Sequence, residues 1–82
     1  MKFTWNLTVD FVGGGKATYV LQNSYTAEEA EIVYENMRID FMRFKNQSEE
    51  EEHEAHINAT VLGGFACIPY HNIGSFSIQR TT

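Results

Sequence analysis

Phe3, Trp5, Leu7, Val9 and Phe11 occupy every second position near the start of the chain, with Lys2, Thr4, Asn6, Thr8 and Asp10 between them. Side chains of an extended backbone alternate faces, so this pattern describes a strand with one apolar and one polar side. Such a strand needs a neighbour along its edge and a layer over its apolar face, which limits the folds open to the chain. The residues that follow supply the neighbour. Gly13-Gly14-Gly15 is a flexible turn, and Ala17, Tyr19 and Leu21 alternate with Thr18, Val20 and Gln22, which predicts an antiparallel hairpin of strands over about 2–12 and 16–22.

The covering layer comes next. Thr26-Ala27-Glu28-Glu29 fits a capping box, in which the threonine hydroxyl accepts from a first-turn amide and the glutamate reaches back to the cap amide. A helix over about 27–46 follows, with Ala30, Val33, Tyr34, Met37, Phe41 and Phe44 recurring at the helical period as a stripe to lie on the hairpin. Beyond an acidic connector at 48–56, Ile57, Ala59 and Val61 alternate with Asn58, Thr60 and Leu62. Gly63-Gly64 fits a two-residue turn, Phe65 to Ile68 resumes an extended pattern that Pro69 ends, and Ile73, Phe76 and Ile78 describe a last strand. Strands are thus expected at about 57–62, 65–68 and 73–80. The predicted fold class is α+β: a single small domain in the order ββαβββ, its mostly antiparallel sheet covered on one face by one amphipathic helix.

With 82 residues there is room for one small core, and Cys67 as the single cysteine rules out an intrachain disulfide or a cysteine-based zinc site. An apolar fraction of 43% with 13% aromatics is that of a globular chain. The first residues lack the uninterrupted apolar run of a leader or membrane span, which predicts a cytoplasmic protein and reduces the sequons at Asn6, Asn46 and Asn58 to chance matches.

Sequences that carry chemistry are sparse. Gly13-Gly14-Gly15-Lys16 is followed by strand residues rather than by Ser or Thr and a helix, so it lacks what a phosphate-binding loop requires. Cys67 and His71 are near in sequence, with Ser75 and Ser77 close by. A reactive thiolate needs a cationic or helix-terminal neighbour, however, and Cys67 in its apolar strand is expected to be a small buried side chain. Glu49, Glu50, Glu51 and Glu52 share one solvent environment, whereas acid and base roles need carboxylates in different ones. His53 and His56 would share a face if the run Ser48 to His56 were helical, and Glu49 or Glu52 adds an oxygen ligand. Only His71 is left to complete a site, so these histidines are weak metal candidates. The expectation is a non-enzymatic protein without a cofactor or native metal.

Charge placement points to a partner. The net charge is −5, but residues 28–54 hold ten acids against Arg38, Arg43 and Lys45, a local −7, while the rest holds three bases against Asp10, a local +2. Such a surface repels phosphates, which argues against direct nucleic-acid binding, and attracts basic protein surfaces. On the helix side away from the stripe, Ile32, Ile39 and Met42 cluster among Glu28, Glu31 and Glu35. Flanking loops can cover such a patch, or a partner can, since exposed apolar patches rimmed with charge mark interfaces. Joined by Glu49, Glu50, Glu51 and Glu52, these residues form a candidate partner-binding face for a basic, nucleic-acid-binding surface of another protein. The same acidic run also reads as a plain solvated connector. In size, acidity and lack of catalytic residues the chain is similar to the small inhibitors that phages and mobile elements encode against host nucleases, anti-CRISPR proteins among them. That resemblance implies a nucleic-acid mimic. The alternatives are a homodimer formed through the outer helix face and an exposed edge strand, and a small-ligand or metal-binding domain using His53, His56 and His71.

Overall fold

The computed structural model describes residues 1–46 and 56–81. Strands β1 (Trp5–Phe11) and β2 (Lys16–Val20) form the first hairpin, helix α1 (Ala27–Asn46) follows, and β3 (His56–Val61), β4 (Gly64–Pro69) and β5 (Ile73–Arg80) complete the ββαβββ order. β1 is central to a three-stranded antiparallel sheet, β2-β1-β5, while β3 and β4 form a second antiparallel pair. The fold is α+β with one helix on antiparallel sheets, as the periodicities predict.

The two sheets join at one point. Leu21, just past β2, bridges Val61; the Gln22 amide donates to the Thr60 carbonyl at 3.0 Å and the Leu62 amide to the Val20 carbonyl at 2.8 Å. Strand order through this splice is β5-β1-β2-β3-β4, yet a 3-10 turn of three residues, Tyr70–Asn72, links β4 straight to β5. In a flat sheet the outer strands would lie about 19 Å apart. The four Cα steps from Pro69 to Ile73 reach at most about 15 Å. The strands must therefore curl over one another, and the 3.0 Å hydrogen bond from the Val12 amide to the Asn72 carbonyl pins the closure. Inside the curl lies one apolar cluster fed by both sheets and the helix: Leu7 and Val9 from β1, Ile57 from β3, Ile68 from β4, Phe76 from β5 and Phe41 from α1. Phe41 meets Phe76 and Tyr70 edge to face, with centroids 5.6 and 5.7 Å apart.

Several boundaries differ from expectation for definite reasons. Strand pairing starts at Trp5 rather than residue 2, with Phe3 making an isolated bridge to Tyr25; β2 stops at Val20, because Leu21 turns to the second sheet. The second hairpin turns on Leu62-Gly63, pairing Val61 with Gly64, and not on Gly63-Gly64. Gly63 adopts φ +88°, a backbone conformation that glycine reaches without a Cβ clash. Moving the turn by one residue changes pairing partners by two positions, so each side chain keeps its face. His56 is the first residue of β3 rather than the end of the connector. In β5, Ile73 and Phe76 are both buried although three apart, because Gly74 is bulged: Asp10 pairs with Ser75 and Phe11 with Ile73. A Cβ at Gly74 would stand 3.3 Å from the Asp10 carbonyl oxygen, so the close approach of β1 favours glycine there.

Candidate docking face on the helix

Helix α1 begins where the capping box predicts. The Thr26 amide donates to Glu29 Oε1 at 3.0 Å, and the Glu29 amide donates to Thr26 Oγ1 at 3.1 Å. Hydrogen bonding from the Thr26 backbone, then from its side chain, holds the Glu29 carboxyl below the usual glutamate range. Along the helix, Ala30 and Phe41 are buried and Val33, Tyr34, Met37 and Phe44 half-buried, so the predicted stripe is the packed one.

The opposite side faces solvent. Ile32, Ile39 and Met42 are 61%, 40% and 44% exposed, so neither sheet nor described loops cover them. Glu28, Glu31 and Glu35 are also exposed, and with Ile32 they line a shallow hollow on this face. Their carboxylates differ in engagement. Arg38 Nε donates to both carboxylate oxygens of Glu35 at 3.2 Å, which lowers the Glu35 carboxyl and raises the Arg38 guanidinium. Glu29 is occupied in the cap. Glu28 and Glu31 have no hydrogen-bond or ion-pair partner among the described residues. The helix carries five acids against three bases, a milder imbalance than residues 28–54 as a whole. Glu49, Glu50, Glu51, Glu52 and His53 lie outside the described residues.

A cleft of about 240 Å³ opens at the flank of this face, lined by Trp5, Ala27, Ala30, Glu31, Tyr34 and Ile78. It exists because α1 starts its packing stripe with the small Ala30, beside Ala27, which leaves a hollow over the β1 and β5 residues Trp5 and Ile78. The indole N–H of Trp5 donates to the Tyr25 carbonyl at 2.9 Å, fixing the ring. Glu31 borders both this cleft and the outer hollow.

Other candidate residues separate. His56 is half-buried opposite Pro69 in the second hairpin, His71 is exposed in the 3-10 turn, and no cluster of three metal-ligating side chains forms among the described residues. Cys67, expected to be buried, is an exposed free thiol. Alternation accounts for it: Ala66 and Ile68 point into the core, so Phe65 and Cys67 point out. Phe65 is 87% exposed and Leu62 74%, an apolar hairpin tip that the sequence reading did not single out, although the same alternation implied it. No helix among the described residues is long and apolar enough to cross a membrane. The chain matches no protein-family model, no curated protein and no solved structure.

Proposed function

We propose that this chain is a small non-enzymatic binding module that docks the outer face of α1 on a basic surface of a cytoplasmic protein partner. The observation that carries the reading is the solvent exposure of Ile32, Ile39 and Met42 beside the carboxylates of Glu28 and Glu31, which have no partner among the described residues. Apolar side chains supply the anchor of an interface, and acids around them select a cationic counterpart and repel polyanions. A cleft that normally takes nucleic acid offers both features to such a face, and the resemblance in size and acidity to phage and mobile-element inhibitors favours the same class of target. Glu49, Glu50, Glu51 and Glu52 would extend the acidic rim.

The test is capture from native host lysate by the wild type and by a variant carrying Ile32→Ser, Ile39→Ser, Glu28→Gln and Glu31→Gln. The expected result is a basic protein retained by the wild type alone and released by raised salt or by added nucleic acid. Equal capture by both proteins, or by neither, refutes the reading.

A second reading rests on a different observation. β4 has no neighbour on its outer edge among the described residues, carries no charged residue, and presents Phe65 almost fully to solvent. Unpaired edges without charge are templates for strand addition. Pairing with a second copy through β4 would give a dimer whose affinity depends on concentration and hardly on salt. Sedimentation equilibrium of the wild type and Phe65→Glu checks it: a strictly monomeric wild type eliminates this alternative.

A further inference from the structure

We propose that the cleft lined by Trp5, Ala27, Ala30, Glu31, Tyr34 and Ile78 is a receptor for a guanidinium, filled by one arginine side chain of the docked partner. This rests on the docking reading above and names the chemistry by which the partner is gripped.

The size sets the class of occupant. At about 240 Å³ the cleft lies below the range of ~300–1,000 Å³ usual for small-molecule and cofactor sites, and it is open at the helix flank, which suits a single side chain reaching in from outside. The lining sets the charge. Two aromatic residues, two alanines, one isoleucine and one carboxylate surround the space, with no cationic side chain among them. Aromatic faces attract cations through their quadrupole, and the carboxylate adds a charge-assisted acceptor, so an anion is disfavoured. A purely apolar side chain would satisfy the rings while leaving Glu31 without a counterion.

Guanidinium is favoured over ammonium for two reasons. It is planar and weakly hydrated, so it loses less on leaving water for an aromatic wall, and its fork of N–H donors matches a carboxylate. The protein already uses this chemistry nearby: the Arg80 guanidinium carbon lies 4.5 Å from the centroid of the Phe3 ring.

Preorganisation supports the assignment. The Trp5 indole N–H is already bonded to Tyr25, so its ring is held by its polar edge. Tyr34 is held against Phe76 at 5.7 Å between centroids. Glu31 is the glutamate that lines the cleft, and it has no partner among the described residues, whereas Glu29 is bound into the cap and Glu35 into the Arg38 pair. Because Glu31 also borders the outer hollow, a partner lying on Ile32 and Ile39 can place a neighbouring arginine here without a second interface.

Trp5 is the only tryptophan, so its fluorescence reports this cleft alone. The probes are N-acetyl-arginine amide, the lysine analogue and the uncharged, nearly isosteric citrulline analogue. The expected result is a saturable change of Trp5 emission with the arginine probe, weaker binding of the lysine probe and no response to citrulline. Glu31→Gln should weaken arginine binding about tenfold, the loss of one charge-assisted hydrogen bond. Ala27→Leu, at an exposed position, should block the cleft, with far-UV circular dichroism confirming that both variants fold. A citrulline response equal to that of arginine, a lysine probe that binds as tightly, or a Glu31→Gln variant with unchanged affinity overturns the proposal. Ile39→Ser separates the two ideas, since it should leave the arginine titration intact while weakening partner capture. If the titration is silent but capture still depends on Ile39, the cleft assignment falls and the docking face stands; the reverse pattern removes the docking face and keeps the cleft.

Discussion

Replacing Phe41 with leucine tests which side of α1 is packed, and both the docking face and the cleft depend on that assignment. Phe41 is 7% exposed and meets two rings edge to face, Phe76 at 83° and Tyr70 at 65° between planes. Truncation to alanine would cost about 3–5 kcal/mol. At ~0.05–0.15 kcal/mol per residue the whole domain is worth about 4–12 kcal/mol, so alanine leaves little to measure. Leucine keeps most of the apolar volume and loses two aromatic contacts of ~0.5–1.5 kcal/mol each, a destabilisation of about 1–3 kcal/mol. In urea unfolding, with a slope of about 1–3 kcal/mol per molar, the midpoint should fall by roughly 1 M. Ile39→Ala is the matched control on the outer face: its side chain is 40% exposed and alanine is the better helix former, so its cost should stay below about 1 kcal/mol. A Phe41→Leu midpoint that does not move, or one less affected than that of Ile39→Ala, would mean that the helix packs by its other face.

Further outcomes follow from single features. Thr26→Ala removes the hydroxyl that accepts from the Glu29 amide while keeping the residue-26 amide that donates to Glu29, and should destabilise the domain by about 1 kcal/mol, read by thermal melts at 222 nm, roughly the helix band. Glu29 and Glu35 have folded-state carboxyl values lowered from 4.5, so their stabilisation is present above that pH and lost as pH falls through the lowered values. Acid titration of unfolding should show this loss in the wild type and less of it in Thr26→Ala. Gly63→Ala forces a Cβ into φ +88° with open space around it, so the cost is backbone strain alone, about 1–2 kcal/mol by urea denaturation. Cys67 should react fully with a thiol reagent in the native protein without denaturant; protection until unfolding would contradict its outward placement.

What was legible in the sequence was whatever local periodicity determines. Alternation through Leu7 and Val9 and the 3.6-residue rhythm from Ala30 to Phe44 identified the buried faces, and the same wheel placed Ile32, Ile39 and Met42 on the outside. Features set by contacts between distant segments were not legible. Leu21 has the alternation of β2 but pairs with Val61, forty residues on, because the curl brings the end of β3 there. The Gly74 bulge is visible only once Asp10 lies beside it. Cys67 was misplaced for another reason: the apolar content of Phe65 to Ile68 outweighed an alternation that was present. The cleft has no local signature, since it assembles Trp5, Ile78 and the first turns of α1 from opposite ends of the chain.

The pairing of β1 with β5 also governs how the chain reaches its folded state. Trp5 lies opposite Arg80 and Val9 opposite Phe76, so the central strand waits for a partner more than sixty residues downstream. At ~5–20 residues per second of synthesis, that wait lasts seconds. During it the β1–β2 hairpin has the β5-side edge of β1 unpaired and its Leu7 and Val9 face uncovered. Pairings this far apart in sequence also raise the contact order, which slows folding. Polar residues on the opposite face of β1, with the Thr8 and Thr18 hydroxyls 3.4 Å apart and Lys16 3.9 Å from Asp10, leave that waiting hairpin soluble on one side only.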